Sequence, residues 1–239
     1  MKTDVKEKNN SIQENIRLNK AFYNYKKIIA KNLPYKFSYL DEWMLKSSKL
    51  LLNETRNTTH KYRTYKRGTI IKVDFGVNLG SEMSQVHFAV VLSKNDNPRN
   101  NVLTILPLTS KKGKFNLCLG TLIAKKIEEK LNLEENKLEQ NLAKLKNEIN
   151  NKDANFEKIE NEKCIIKSKM DKLNFLIKYY KKRLKTTYGC TNLITSISKT
   201  KLLNPINEYD IIGKTMCSDE VLDIIDNDIT QKLTNLHNK

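Results

Sequence analysis

The chain has 239 residues, 44 Lys+Arg against 27 Asp+Glu, a formal net charge of +17 and 38% hydrophobic residues. That is room for one generous domain or two small ones. No run approaches the roughly 18 apolar residues of a membrane span. The charge favours a polyanionic partner, whether nucleic acid, an acidic protein or an anionic membrane surface, although a basic surface of no special role is the blander account.

The opening MKTDVKEKNNSIQEN has no apolar stretch of the signal-peptide kind. Cys118, Cys164, Cys190 and Cys217 stand far apart with no C-x-x-C pair, neither a zinc pattern nor an evident disulfide framework. A reduced, cytoplasmic setting is expected, with no metal and no cofactor.

Residues 1–13 are polar and expected to fray. Apolar positions then recur at helical spacing through Ile16, Ala21, Phe22, Tyr25, Ile28, Ile29 and Leu33, a helix that Pro34 would stop. Ser38 followed by Asp41 predicts a capped start to a second helix bearing Leu40, Trp43, Met44, Leu50 and Leu51. A basic linker, NETRNTTHKYRTYKR, covers residues 53–67. Residues 1–67 carry 16 Lys+Arg against 6 Asp+Glu, so this arm supplies more than half of the net charge.

The pattern changes at Gly68. TIIKVDFG (69–76) is β-branched and aromatic and predicts a strand; residues 76–85 form a loop. Val86–Leu92 predicts a strand apolar on both faces, hence central. KNDNPRNN (94–101) is a turn cluster. VLTILPLTS (102–110) and FNLCLGTLI (115–123) predict two further strands.

Residues 124–186 lose the β character. Apolar positions at 127, 131, 138, 142, 145 and 149, then at 156, 159, 166, 170, 173, 177, 180 and 184, are heptad-like. NNKDAN (150–155) at the midpoint predicts an antiparallel hairpin, each arm roughly 35–40 Å long. Strands return in TTYGCTNLITSIS (186–198). A connector follows at 202–206, then a helix over 217–233 that Ser218 or Asp219 could cap. The expected class is α+β. It comprises a basic helical arm (1–66), one small barrel (67–123 with 187–239) and a coiled-coil hairpin inserted into it (124–186).

Three stretches then carry a resemblance. RGTIIKVDFG…GSE (67–76 and 80–82), VHFAVVLSKND (86–96) and TILPLTSK (104–111) resemble, in order and spacing, motifs of the PemK/MazF toxins. These are the endoribonuclease halves of type II toxin–antitoxin pairs. Weaker likeness resumes at LITSISKTKL (193–202) and in the last helix. The arm and the hairpin lie outside the family's compact pattern. The resemblance implies a small SH3-like β-barrel, usually a homodimer. It implies cleavage of single-stranded RNA without metal, leaving a 2′,3′-cyclic phosphate and a 5′-hydroxyl. It also implies neutralisation by an acidic antitoxin.

Such cleavage needs a base for the 2′-hydroxyl, an acid for the leaving 5′-oxygen and donors for the phosphoryl oxygens. The family places an arginine at the loop-to-strand junction and a threonine at the end of the third strand. Thr109 matches the threonine. His87 stands where the arginine is expected, and Phe88 replaces the usual proline. Arginine serves as a clamp or acid, whereas histidine can be acid or base; a packing ring is the alternative for His87, and a turn cap for Thr109. Substrate contacts are expected from Gly80, Ser81, Glu82, Gln85, Ser110 and Lys111. Glu82 could instead pair with a lysine, and Lys111 with Lys112 could be a solvated turn. The family's later arginine has no clear counterpart, though Ser198 and Lys199 stand nearby. Tyr23, Tyr25, Tyr35, Tyr39, Tyr62 and Tyr65, set among Lys and Arg, suit either base stacking or packing. The rival readings are an RNA-binding module without catalysis and, less apt, a gyrase poison. The last helix is acidic over 219–228, and the chain lacks the Trp-Gly-Ile end of that branch.

Overall fold

The computed structural model describes residues 2–31, 33, 35–56, 61–148, 156–183 and 185–235. It divides into two compact units, Met1–Thr58 with Phe75–Gln85, and Thr59–Asp74 with Val86–Lys239.

In the first unit α1 spans Lys2–Ile29. Residues 2–13, expected to fray, are helical. Lys, Glu and Gln are good helix formers, so polarity alone does not stop the helix. From residue 11 to 29 every side chain is exposed except Ile28, so the predicted stripe is not a core face. Pro34 lies outside the described residues. A short 3-10 turn at Phe37–Tyr39 leads into α2, Leu40–Glu54. The predicted capping box is absent: Ser38 sits inside the 3-10 turn and its Oγ donates to Tyr35 O at 2.8 Å, while Tyr39 holds the N-cap position without a side-chain bond. Leu40 is buried, Trp43, Met44 and Leu50 are half-buried, and Leu51 is exposed.

The loop Phe75–Gln85 is closed on itself. Phe75 N–H donates to Gln85 O (2.9 Å) and Gln85 N–H to Gly76 O (2.6 Å). Asn78 Nδ2 donates to Phe75 O and Met83 O, at 3.2 and 2.7 Å. Gly76 has φ +75° and lies against the Trp43 indole, where a Cβ would come 2.1 Å from Cε2. Only glycine fits there.

The second unit holds β1 (Ile70–Asp74), β2 (Val86–Val91), β3 (Val102–Thr109), β4 (Leu117–Gly120), β5 (Thr187–Gly189) and β6 (Thr195–Ser198). The strands are antiparallel in the order β1-β2-β3-β5-β4. β3 changes partner along its length, with Val102–Ile105 against β6 and Leu108–Thr109 against β5. The expected barrel takes the form of this sheet, whose end strands β1 and β4 are not paired with each other among the described residues. β2 is central as predicted, and Ala89, Val90 and Val91 are wholly buried.

The Arg67-Gly68 pair explains how the sheet starts. Gly68, at φ +84°, donates to Val91 O (2.8 Å) and accepts from Cys217 N–H (2.9 Å). Arg67 Nη1 donates to Leu92 O at 2.6 Å, and its Nη2 pairs with Asp226. Asp226 lies on the last helix, α5 (Asp219–Leu233). Ser218 occupies the α5 N-cap but its side chain makes no cap bond, so the predicted cap is positional only; Asp219 is the first helical residue.

α3 (Leu122–Glu148) and α4 (Phe156–Arg183) pack together as the predicted hairpin. Its seam buries Ile127, Leu131, Leu138 and Leu145 against Ile159, Ile166, Leu173 and Leu176. The predicted turn 150–155 and the seam positions 149 and 184 lie outside the described residues. Toward the strands this seam merges with Ile70, Val90, Leu106 and Leu108 into one core. Tyr180 OH donates to the buried Asp210 carboxylate at 2.5 Å, fastening α4 to the segment that follows β6. Burial, and then that bond, push the Tyr180 phenol above its usual value. No helix among the described residues is long and apolar enough to cross a membrane.

Candidate functional site at the end of β2 and β3

The pairing Ala89↔Pro107 fixes the register of β2 on β3. That pair is the last of the β2–β3 ladder on this side, and His87 and Thr109 each lie two residues beyond it, Thr109 being paired with Tyr188 of β5. The imidazole is half-buried, and its Nδ1 lies 3.2 Å from Leu108 O. A carbonyl only accepts, so Nδ1 carries the proton. In the neutral ring the basic atom is then Nε2. His87 thus packs against β3 without being sealed in the interior. Thr109 is half-buried, and its Oγ1 accepts the Lys111 N–H at 3.2 Å. That is the turn-capping bond weighed for it; the hydroxyl proton remains to be donated. Ser110, Lys111 and Lys112 are exposed. Lys111 O accepts from Asn116 Nδ2 at 3.3 Å, which shapes the turn after β3.

The other sequence candidates lie in the first unit, on the Phe75–Gln85 loop. Gly80 (φ +52°), Ser81 and Glu82 are exposed, and Gly80 has no atom within 4 Å of a would-be Cβ. Its carbonyl accepts from Lys36 Nζ at 2.9 Å. Gln85 takes φ +69°, unusual for a residue with a side chain. Its Nε2 donates to Tyr35 O at 2.7 Å. Of the arm's tyrosines, Tyr23, Tyr25 and Tyr35 are exposed, whereas Tyr39, Tyr62 and Tyr65 are half-buried.

Sequence reasoning passed over one strong pair. Asp96 and Lys199 form a salt bridge at 2.8 Å with side chains 1% and 3% exposed. Asp96 also accepts the Tyr65 N–H (2.8 Å) and Asn100 Nδ2 (3.1 Å). Burial alone would raise the Asp96 pKa. The Lys199 and Tyr65 bonds, with the lysine's charge, outweigh it and hold the carboxyl below its usual value. The signal was the Asn-Asp closing VHFAVVLSKND, together with a lysine near the position of the family's later arginine. This pair anchors the β2–β3 connection, at the opposite end of those strands from His87 and Thr109.

All four cysteines are free thiols. Burial pushes Cys217 up to about 12 and also raises Cys190, so neither is a ready nucleophile. Among the described residues, no group of three or more His, Cys, Asp or Glu is arranged to hold a metal ion.

A search of curated proteins found no match. Residues 66–159 match the family described as PemK-like, MazF-like toxin of type II toxin-antitoxin system. The match starts where the motifs start. It takes in α3 and the start of α4, which the motifs leave outside the family pattern, and it stops short of β5, β6 and α5. His87 and Thr109 both fall within it. With three motifs in order on the antiparallel strands β1 to β3, the chain carries a PemK/MazF-like toxin domain over residues 66–159.

Proposed function

We propose that the chain is the toxin of a type II toxin–antitoxin pair and acts as a metal-independent endoribonuclease on single-stranded RNA. The observation that carries this reading is the His87 imidazole bound through Nδ1 to Leu108 O, one residue before Thr109, within the family-matched segment. Nε2 of the neutral ring takes the 2′-hydroxyl proton. The oxygen so freed attacks the adjacent phosphorus, the bond to the 5′-oxygen breaks, the leaving oxygen takes a proton from solvent water, and the imidazolium returns its proton to the hydroxide so formed. The products are a 2′,3′-cyclic phosphate and a 5′-hydroxyl. The Thr109 hydroxyl donates to a phosphoryl oxygen as charge grows there. Gly80, Ser81, Glu82, Gln85, Ser110 and Lys111 contact the strand, and the net charge of +17 favours its approach.

Purified protein should cut single-stranded RNA in EDTA and leave cyclic-phosphate ends. RNA that is bound but left whole would support instead a non-catalytic RNA-binding module. An acidic antitoxin should abolish cleavage, and a homodimer is the expected assembly. An equilibrium sedimentation mass of one chain would remove the dimer from the proposal.

A further inference from the structure

The loop Phe75–Gln85 joins β1 to β2, yet it belongs to the same compact unit as the N-terminal arm. Asn78 braces it from inside. Its N–H donates to Ser84 Oγ at 3.1 Å, and its Nδ2 reaches Phe75 O and Met83 O. With Phe75 and Gln85 also paired across the neck, the loop is stiff within itself. Its attitude is then set by what touches its outside.

The arm touches it at three places. At the neck, the Trp43 indole lies against Gly76, with Cε2, Cζ2 and Cδ2 at 2.1, 2.3 and 2.4 Å from where a Cβ would stand. At the tip, Lys36 Nζ donates to Gly80 O at 2.9 Å. At the far end, Gln85 Nε2 donates to Tyr35 O at 2.7 Å. The two hydrogen bonds are exposed, so each adds little over a bond to water. Trp43 is half-buried and offers a wide, rigid apolar face. It is therefore the strongest of the three holds. Tyr35, Lys36 and Trp43 all precede residue 66, where the family match begins.

We infer that Trp43 is a positioning residue: through it the arm holds the loop in the attitude in which Gly80, Ser81, Glu82 and Gln85 meet RNA, and so sets substrate affinity without touching substrate. The consequence for affinity rests on the proposed reading of the loop as a substrate contact; the hold of Trp43 on the loop does not.

The test measures amide exchange and cleavage kinetics on the full-length chain. Trp43→Ala should speed exchange of the Phe75 and Gln85 amides about tenfold or more, and leave unchanged that of Val91, whose N–H is bonded to Thr69 O. KM for single-stranded RNA should rise about tenfold with kcat unchanged, and Trp43→Phe, which keeps an aromatic face, should restore most of both. A general loss of structure would instead lower kcat and expose Val91 as well. If Trp43→Ala does not fold, two measurements decide. Lys36→Met should raise KM about twofold with an unchanged melting temperature. A short 2′-O-methylated oligonucleotide that cannot be cut should shift the emission of Trp43, the chain's only tryptophan. Loop amides indifferent to Trp43→Ala, a KM and oligonucleotide affinity that do not change, or a fall in kcat as large as the rise in KM overturns the inference. A wild type that binds the oligonucleotide but cuts no RNA sinks the enzymatic reading alone, because amide exchange and oligonucleotide affinity still decide this one.

Discussion

The two sets of residues proposed to meet RNA are fastened in different ways. On the sheet unit, His87 and Thr109 sit on strands whose backbones are paired and whose neighbours Ala89, Val90, Ile105 and Leu106 are wholly buried. The far end of those strands is held by the Asp96–Lys199 pair. On the loop unit, the Gly80 carbonyl and the Gln85 side chain each make one exposed hydrogen bond, from Lys36 and to Tyr35, while the Gln85 backbone is paired with Phe75 and Gly76. Rigid strands suit groups that must meet a reacting atom within a few tenths of an ångström. A loop closed on itself, with its tip Gly80–Glu82 exposed, suits contacts away from the reacting atoms. Under the proposed function, the strand residues govern the rate and the loop the affinity.

The largest expected effect tests the stiff side. Lys199→Met leaves a buried carboxylate without its partner and should cost about 3–5 kcal/mol of unfolding free energy, read by denaturant titration. Asp96 is held below its ordinary pKa, so its contribution is complete above the unfolded value of 3.8 and is lost as pH falls through the lower folded value. Wild-type stability should therefore drop on strong acidification, and the drop should be shallower in Lys199→Met. Equal stability of the two at neutral pH would deny that the pair anchors these strands.

Thr109→Val comes next. Loss of the hydroxyl should lower the cleavage rate constant about tenfold with little change in KM, and Thr109→Ser should restore most of it. A change confined to KM would move Thr109 to the binding set and blur the division. The loop offers the smallest effect. Gln85→Ala keeps the positive φ and loses the bond to Tyr35 O, whereas Gln85→Gly loses the bond and relieves the backbone. The glycine variant should be the more stable by about 1 kcal/mol in thermal melts, and both should raise KM while sparing kcat. A fall in kcat alone would place the loop with the chemistry.

Local pattern was legible in the sequence; what covers it was not. α1 and α4 are both basic helices of 28 residues with an apolar stripe. In α4 the stripe is core because α3 folds back along it; in α1 Ile16, Phe22 and Ile29 stay exposed. Periodicity reports a face, and a partner decides its burial. The strands were readable because β-branched runs and turn residues are local signals. The bond from His87 Nδ1 to Leu108 O, the Asp96–Lys199 pair and the Tyr180–Asp210 bond join residues 21, 103 and 30 positions apart. They depend on register, which composition does not carry. The Ser38 cap failed for a local reason: a 3-10 turn took up the serine before the helix began.

The central claim is that the His87 imidazole moves a proton during RNA cleavage. Its most direct test is the single-turnover rate of His87→Ala against wild type on one single-stranded substrate in EDTA, at saturating enzyme. The account predicts a fall of about 10²-fold or more with an unchanged melting temperature. Undiminished cleavage by a folded His87→Ala protein would contradict it.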